Sequence, residues 1–290
     1  TPYACTCPSC TAIGNTEKNA TPAVTELILR LSQRFPRHFF FTTSYLTTQQ
    51  VTDKQLPPNA GVIVSAINFP LRRIDGKDAK EKAFAGQLEQ WKNVTKNIYI
   101  WDYINNFDDY LTPMPILKIA RQRLQFFKQH GASGIFFNGS GYSYSSFDEM
   151  RTFVLSALLI NPELSVDNLT ASFFNQEYPA AKKWLYDYYT DLENGTQSGK
   201  RLGIYAGIRE SEKAYLTPEK FIKFYDEMND FVSNAKGKER KSSMNSRTAL
   251  SYTRMEMGRE HSFDAYGYAK RNGKVFNLFP STGNGITQLK

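Results

Sequence analysis

Two hydrophobic periods take turns along the amino-terminal part of the chain. Residues 21–35 carry Val24, Leu27, Ile28 and Leu31 at helical spacing, and Pro36 stops the pattern. Residues 38–45 are a short run of aromatic and β-branched side chains, as a buried strand requires. Pro57, Pro58 and Asn59 mark a loop, and residues 61–68 predict a second strand. Residues 80–92 predict a helix with Phe84, Leu88 and Trp91 on one side. A third strand is predicted over residues 97–103 and a helix over 116–130, with Leu117, Ala120, Leu124 and Phe127 turned inward. Residues 134–138 predict a fourth strand, and 145–159 a further helix.

Strands alternating with helices in this way predict β/α units and a parallel sheet. The strands are nearly continuous apolar runs, as expected where both faces are covered. Four units make half of an eight-stranded barrel. Either the remaining half lies outside this chain, or the sheet is open and doubly wound. After Pro162 the pattern becomes helical throughout, over residues 169–174, 180–192, 218–235 and 246–269. Ser165 and Thr217 stand where caps are expected, and Pro218 at a first helical position. The last helix carries Tyr252, Met255, Met257 and Phe263, while Gly237, Ser242 and Ser243 predict a mobile link before it. Residues 281–285 read as a loop or frayed end. The expected architecture is α/β: the carboxyl-terminal half of a (β/α)8 barrel over residues 1–162, then an all-helical extension over 163–290.

Composition adjusts this picture modestly. The 290 residues include 17 Tyr, 21 Phe and 3 Trp. Aromatic surfaces suit sugar rings, although core packing accounts for most of the Phe. The net charge of +8 raises nucleic-acid binding, but the basic residues are scattered among acids, so no nucleic-acid partner is expected. The run Lys236, Lys238, Arg240, Lys241 reads as a solvated loop. No apolar stretch reaches the roughly 20 residues needed to span a bilayer. Thr1 is not a natural start, so removal of a leader or of a longer amino-terminal region is expected.

The predicted strands end in polar residues: Ser44 and Tyr45, Ser65 and Asn68, Asp102 and Tyr103, Asn138 and Ser140. Sites of parallel α/β folds lie at these ends. Most glycosidases need two carboxyl groups across the scissile bond. Asp102 is the catalytic candidate: an acid at the end of an apolar strand is partly desolvated, which suits acid–base work. The competing reading makes it a structural acceptor for the Asn105–Asn106 loop. Tyr45, Asn68, Trp101, Tyr103, Asn105 and Asn138 are the candidate sugar-binding residues. A second carboxylate is less evident. Asp108 and Asp109 lie on an expected solvated loop, and Asp148 and Glu149 begin a helix, where the dipole favours acids anyway. Cys5, Cys7 and Cys10 are weak metal candidates lacking a fourth ligand; a knuckle-like turn with one local disulfide or free thiols is the preferred reading. No cofactor is expected, since phosphate-binding glycine loops, His-Glu zinc motifs and nucleophile elbows are missing.

Tyr3-Ala4-Cys5-Thr6-Cys7-Pro8-Ser9-Cys10, Ile98-Tyr99-Ile100-Trp101-Asp102-Tyr103 with Asn105, Asn106, Phe107 and Tyr110, then Pro113, Pro115, Phe126-Phe127 and Gly134-Ile135-Phe136-Phe137 together resemble one known family, domain of unknown function 4838. The likeness covers about residues 3–189. It implies a barrel distantly similar to α-glucuronidases and β-hexosaminidases, in secreted or surface glycan-degrading systems of gut bacteria. It also implies a periplasmic, cell-surface or secreted location, the first half of the barrel lying outside this chain, and an extra amino-terminal domain; the exposed sheet edges call for that absent half or a second chain to complete the sheet. The expected function is a glycoside hydrolase-like protein acting through Asp102, with non-catalytic carbohydrate binding as the alternative.

Overall fold

The computed structural model describes residues 3–139, 145–262 and 264–267. Ser140, Gly141, Phe263, the end of the predicted last helix and the predicted loop at 281–285 lie outside the described residues. The chain divides into two compact units. The first holds the described residues up to Pro70, then Ile74–Tyr103 and Arg123–Asn138. The second holds Leu71–Arg73, Ile104–Gln122 and the described residues beyond Asn138.

In the first unit, α1 (Pro8–Ala12) and α2 (Thr21–Arg34) precede β1 (Phe40–Ser44). A short 3₁₀ turn at Leu46–Thr48 leads on to β2 (Ala60–Ser65), α3 (Ala79–Lys92) and β3 (Ile98–Tyr103). Helix α4 (Leu117–Gln129), which belongs to this unit from Arg123 onward, and β4 (Gly134–Asn138) complete the repeat. All four strands are parallel and run in the order β1-β2-β3-β4. The order contains no reversal. Asp78 caps α3 by accepting the Lys80 N–H at 2.7 Å. Phe84, Leu88 and Trp91 of α3 then join Phe127 of α4 against Val62, Val64, Ile98 and Ile100. That single apolar cluster covers one face of the sheet.

Two strands are shorter than the pattern predicts. Phe39 stays exposed ahead of β1, and β2 gives way to a turn in which the Phe69 N–H bonds to the Ala66 carbonyl at 2.9 Å. The cysteine segment holds a short helix, α1, with Cys7 at its N-cap position.

The second unit is helical: α5 (Asp148–Ile160), α6 (Val166–Glu177), α7 (Lys182–Thr196), α8 (Ile208–Ala214), α9 (Pro218–Asn234) and α10 (Gly237–Glu260). Helix α5, which the sequence groups with the β/α repeat, lies here. Phe147, Phe174, Tyr188, Tyr189 and Phe224 form an aromatic core, with the Tyr188 and Phe224 rings stacked 3.7 Å apart. Ser165 caps α6 through the Asn168 N–H at 3.3 Å, whereas Thr217 caps α9 without a side-chain bond. The expected link at Gly237, Ser242 and Ser243 is instead continuous helix from Gly237 onward. Ser243 is fully buried within it, so packing of small side chains overrides their weak helix propensity.

Candidate functional site

Strand alternation divides β3 between two environments. Ile98, Ile100 and Asp102 face the helix-covered side, and Tyr99, Trp101 and Tyr103 face the other. Neither aromatic neighbour shares the face of Asp102.

Asp102 is wholly inaccessible. Its Oδ2 accepts the Arg123 Nε–H at 2.8 Å, and its Oδ1 takes a close bond from Arg123 Nη2. Oδ1 also accepts the Tyr103 N–H at 2.8 Å. The Arg123 guanidinium lies 4.5 Å from the Phe69 ring centroid and 5.6 Å from that of Phe127, and Nη1 donates to the Pro70 carbonyl at 2.7 Å. A bidentate fork of this kind occupies both carboxylate oxygens. It joins β3 to α4 and to the turn after β2. Asp102 is an acceptor, but its partners are Arg123 and its own strand rather than the Asn105–Asn106 loop named for it. Sequence reasoning missed Arg123, although a signal existed: Ile116, Ala120, Arg123 and Phe127 follow an inward 4-3-4 spacing that places one cation on the buried face.

The opposite sheet face carries a different set. In register, Ser65 pairs with Trp101, Trp101 with Phe136, and Tyr103 with Asn138. Partners in a parallel ladder point the same way, so these side chains share one surface. Trp101 and Tyr103 are stacked with centroids 5.9 Å apart, and Phe136 meets Trp101 edge-on at 6.3 Å. The Ser65 hydroxyl lies 3.5 Å from that of Tyr103. Further back, Phe41 meets Tyr99 edge-on at 5.1 Å. Gly61 and Gly134 make room for these rings: a Cβ on either would sit 2.5 Å from a ring carbon of Phe41 or Tyr99. Phe136 is 58% exposed and Tyr99 41%. The indole N–H of Trp101 is shielded and has no hydrogen-bond partner among the described residues. Ser65 was legible as a polar strand end, whereas Phe136 joins the set only through its register with Trp101, and Phe41 and Tyr99 only through the packing of their rings.

The remaining predicted residues separate. Asn138 ends β4 on the aromatic face, half-buried. Tyr45 is half-buried ahead of the 3₁₀ turn, where its carbonyl accepts the Thr48 hydroxyl at 2.9 Å. Asn68 is exposed on the turn after β2. In the second unit Asn105 is buried and accepts from Arg151 Nη1 at 3.4 Å. Asn106 clasps Ala206 through both amide atoms, at 2.7 and 3.1 Å, beside a cavity of about 340 Å³ also lined by Arg201, Tyr205, Glu210, Ser211 and Tyr215.

Among the acids, Asp108 is exposed, but Asp109 is buried, contrary to the solvated loop expected. It accepts the Leu111 and Thr112 N–H groups at 3.2 and 3.0 Å. Burial pushes its carboxyl above the usual range, and those bonds oppose the rise. Asp148 and Glu149 occupy the first turn of α5 as foreseen. Cys5, Cys7 and Cys10 bring their sulfurs within 4.8 Å of one another. Hydrogen bonds from the Cys10 backbone and the Cys5 and Cys10 thiols hold Cys7 below the usual thiol range, while the Cys5 and Cys7 sulfurs push Cys10 up to about 11.

A family known as domain of unknown function 4838 matches residues 2–191. The chain belongs to that family. No curated protein and no solved structure matches the chain. The DUF4838 match takes in all four strands, the three cysteines and the Asp102–Arg123 pair, whereas α8, α9 and α10 lie beyond it. Among the described residues no helix is long and apolar enough to cross a membrane.

Proposed function

We propose that this protein binds carbohydrate at the carboxyl end of its aromatic sheet face. The observation carrying the reading is the stacked Trp101–Tyr103 pair, flanked by Phe136 and set beside Ser65 and Asn138. Flat rings take the apolar face of a sugar, and adjacent hydroxyl and amide groups bond its hydroxyls. Asp102 supports this site by holding β3 in place and does not take part in proton transfer. The unreversed strand order further supports a section of a parallel barrel, whose sites sit at the same strand ends. The resemblance to secreted glycan-degrading systems supports a location outside the cytoplasm.

The test is a glycan array followed by calorimetry on the full chain, Trp101→Ala and Tyr205→Ala. Trp101→Ala is expected to weaken the best ligand about tenfold or more, near the 1.4 kcal/mol of one decade in affinity. Tyr205→Ala should leave binding unchanged. Loss in Tyr205→Ala alone would move the site to the cavity of the second unit. No glycan bound by the full chain would overturn the proposal.

A hydrolase is the second reading, and Asp109 is the observation favouring it: a buried carboxyl with a raised pKa on the loop after β3. Acid–base hydrolysis needs a second, opposed carboxyl group. This chain alone is therefore expected to leave aryl glycosides intact. Turnover that vanishes in Asp109→Asn would replace binding by hydrolysis as the function.

A further inference from the structure

The segment from Tyr3 to Gly14 contains no buried side chain, and α1 packs no residue into a core. Segments that bury so little apolar surface draw their stability from another source, commonly a metal or a disulfide. Asn15 anchors this one. Asn15 is buried; its N–H bonds to the Cys10 carbonyl at 3.0 Å, its Nδ2 to the Cys5 carbonyl at 3.1 Å, and its Oδ1 accepts the Ala23 N–H at 3.0 Å. The Thr11 N–H closes the turn on the Cys7 carbonyl at 2.9 Å. The backbone of all three cysteines is thereby fixed, with their sulfurs converging.

We propose that Cys5, Cys7 and Cys10 together bind one zinc(II) ion. Three thiolates about 2.3 Å from a shared zinc stand roughly 3.8–4.0 Å apart, inside the 4.8 Å spread of these sulfurs. A disulfide would use two of the thiols and leave the third without a task, whereas a metal uses all three. Among the described residues the cluster has no fourth protein ligand, and Cys5 and Cys7 are exposed. An exposed all-sulfur site with one open position suits a redox-inert ion that accepts water. On binding, three S–H bonds lose their protons to solvent, three S–Zn bonds form, and a water molecule fills the fourth position. The ion cross-links the segment that leads into α2 and takes the place of a core there.

The test is anaerobic titration of the reduced full chain with cobalt(II), followed by zinc(II). A thiolate-to-cobalt charge-transfer band saturating at one equivalent and bleached by one equivalent of zinc is expected. Zinc should also protect all three cysteines from alkylation. Cys7→Ser and Cys10→Ser should each lose the band while keeping the far-ultraviolet dichroism of the parent, because α1 adds nothing to a core. Asn15→Ala keeps every ligand and should weaken zinc about tenfold or more, as loss of a ligand-orienting group does. No band in the reduced chain, a band surviving in Cys7→Ser, or saturation above one equivalent would overturn the site. A disulfide in the oxidised chain, with no metal uptake after reduction, would overturn it equally.

Discussion

Asp102 and Arg123 show how one residue's surroundings set its role. A carboxylate and a guanidinium stripped of water recover that loss chiefly through each other, helped by the Tyr103 N–H and the Pro70 carbonyl. Removing one partner leaves an unpaired buried charge, so Asp102→Asn should cost about 3–5 kcal/mol in urea denaturation. Asp102→Leu combined with Arg123→Met should cost clearly less than Asp102→Asn alone, since neither charge is then stranded. An Asp102→Asn variant as stable as the parent would show that the pair does not clamp the fold. His261 offers a pH counterpart. It bonds Glu212 at 2.8 Å and Asp264 more closely. Burial alone would lower its pKa from 6.5, but the bonds to Glu212 and then Asp264 outweigh that and raise it. The folded state therefore holds the proton more tightly than the unfolded chain. The resulting stability is complete below about pH 6.5 and is lost as pH rises through the higher folded value. Melting temperature followed from about pH 5.5 to 8.5 should fall over that window, and His261→Asn should flatten the fall.

At the scale of elements, the apolar periods carried most of the architecture. Strands β2, β3 and β4 and helices α3 and α4 lie where alternating runs placed them, because each packs a stripe against one cluster around Val62, Ile98 and Trp91. What stayed hidden depends on contacts distant in sequence. Helix α8 is only seven residues long, and its start, where Glu210 accepts the Gly207 N–H at 3.1 Å, leaves too short a pattern to register. The Gly237–Ser243 stretch looks like a link locally, yet Ser243 is buried and helical. Ser243→Pro should therefore lower stability by about 3 kcal/mol or more, where a mobile link would tolerate proline. The site was legible in part. The polar residues predicted at strand ends do end the strands, but alternation alone could not say which sheet face would be covered. That choice sent Asp102 into the core and turned Trp101, half-buried, to the opposite face, with Tyr103 buried beside it.

At the scale of the molecule, an aromatic sheet face with Tyr99 and Phe136 in solvent is an adhesive surface, and the outer edges of β1 and β4 carry backbone groups free of strand partners within this sheet. Light scattering of the purified chain should give a mass above the 33.1 kDa of one copy, and Phe136→Ser should reduce it. A mass of one copy at every concentration would count against that surface as a contact. The three tryptophans divide in a way that makes the same face self-reporting. Trp91 is sealed in the first unit's core and Trp184 lies against Phe224 and Phe231, while Trp101 rests on Tyr103 beneath the proposed sugar. Indole emission follows local polarity and stacking, so this protein carries its own fluorophore at the spot in question. A glycan that settles there would change the colour of the protein's light without any label.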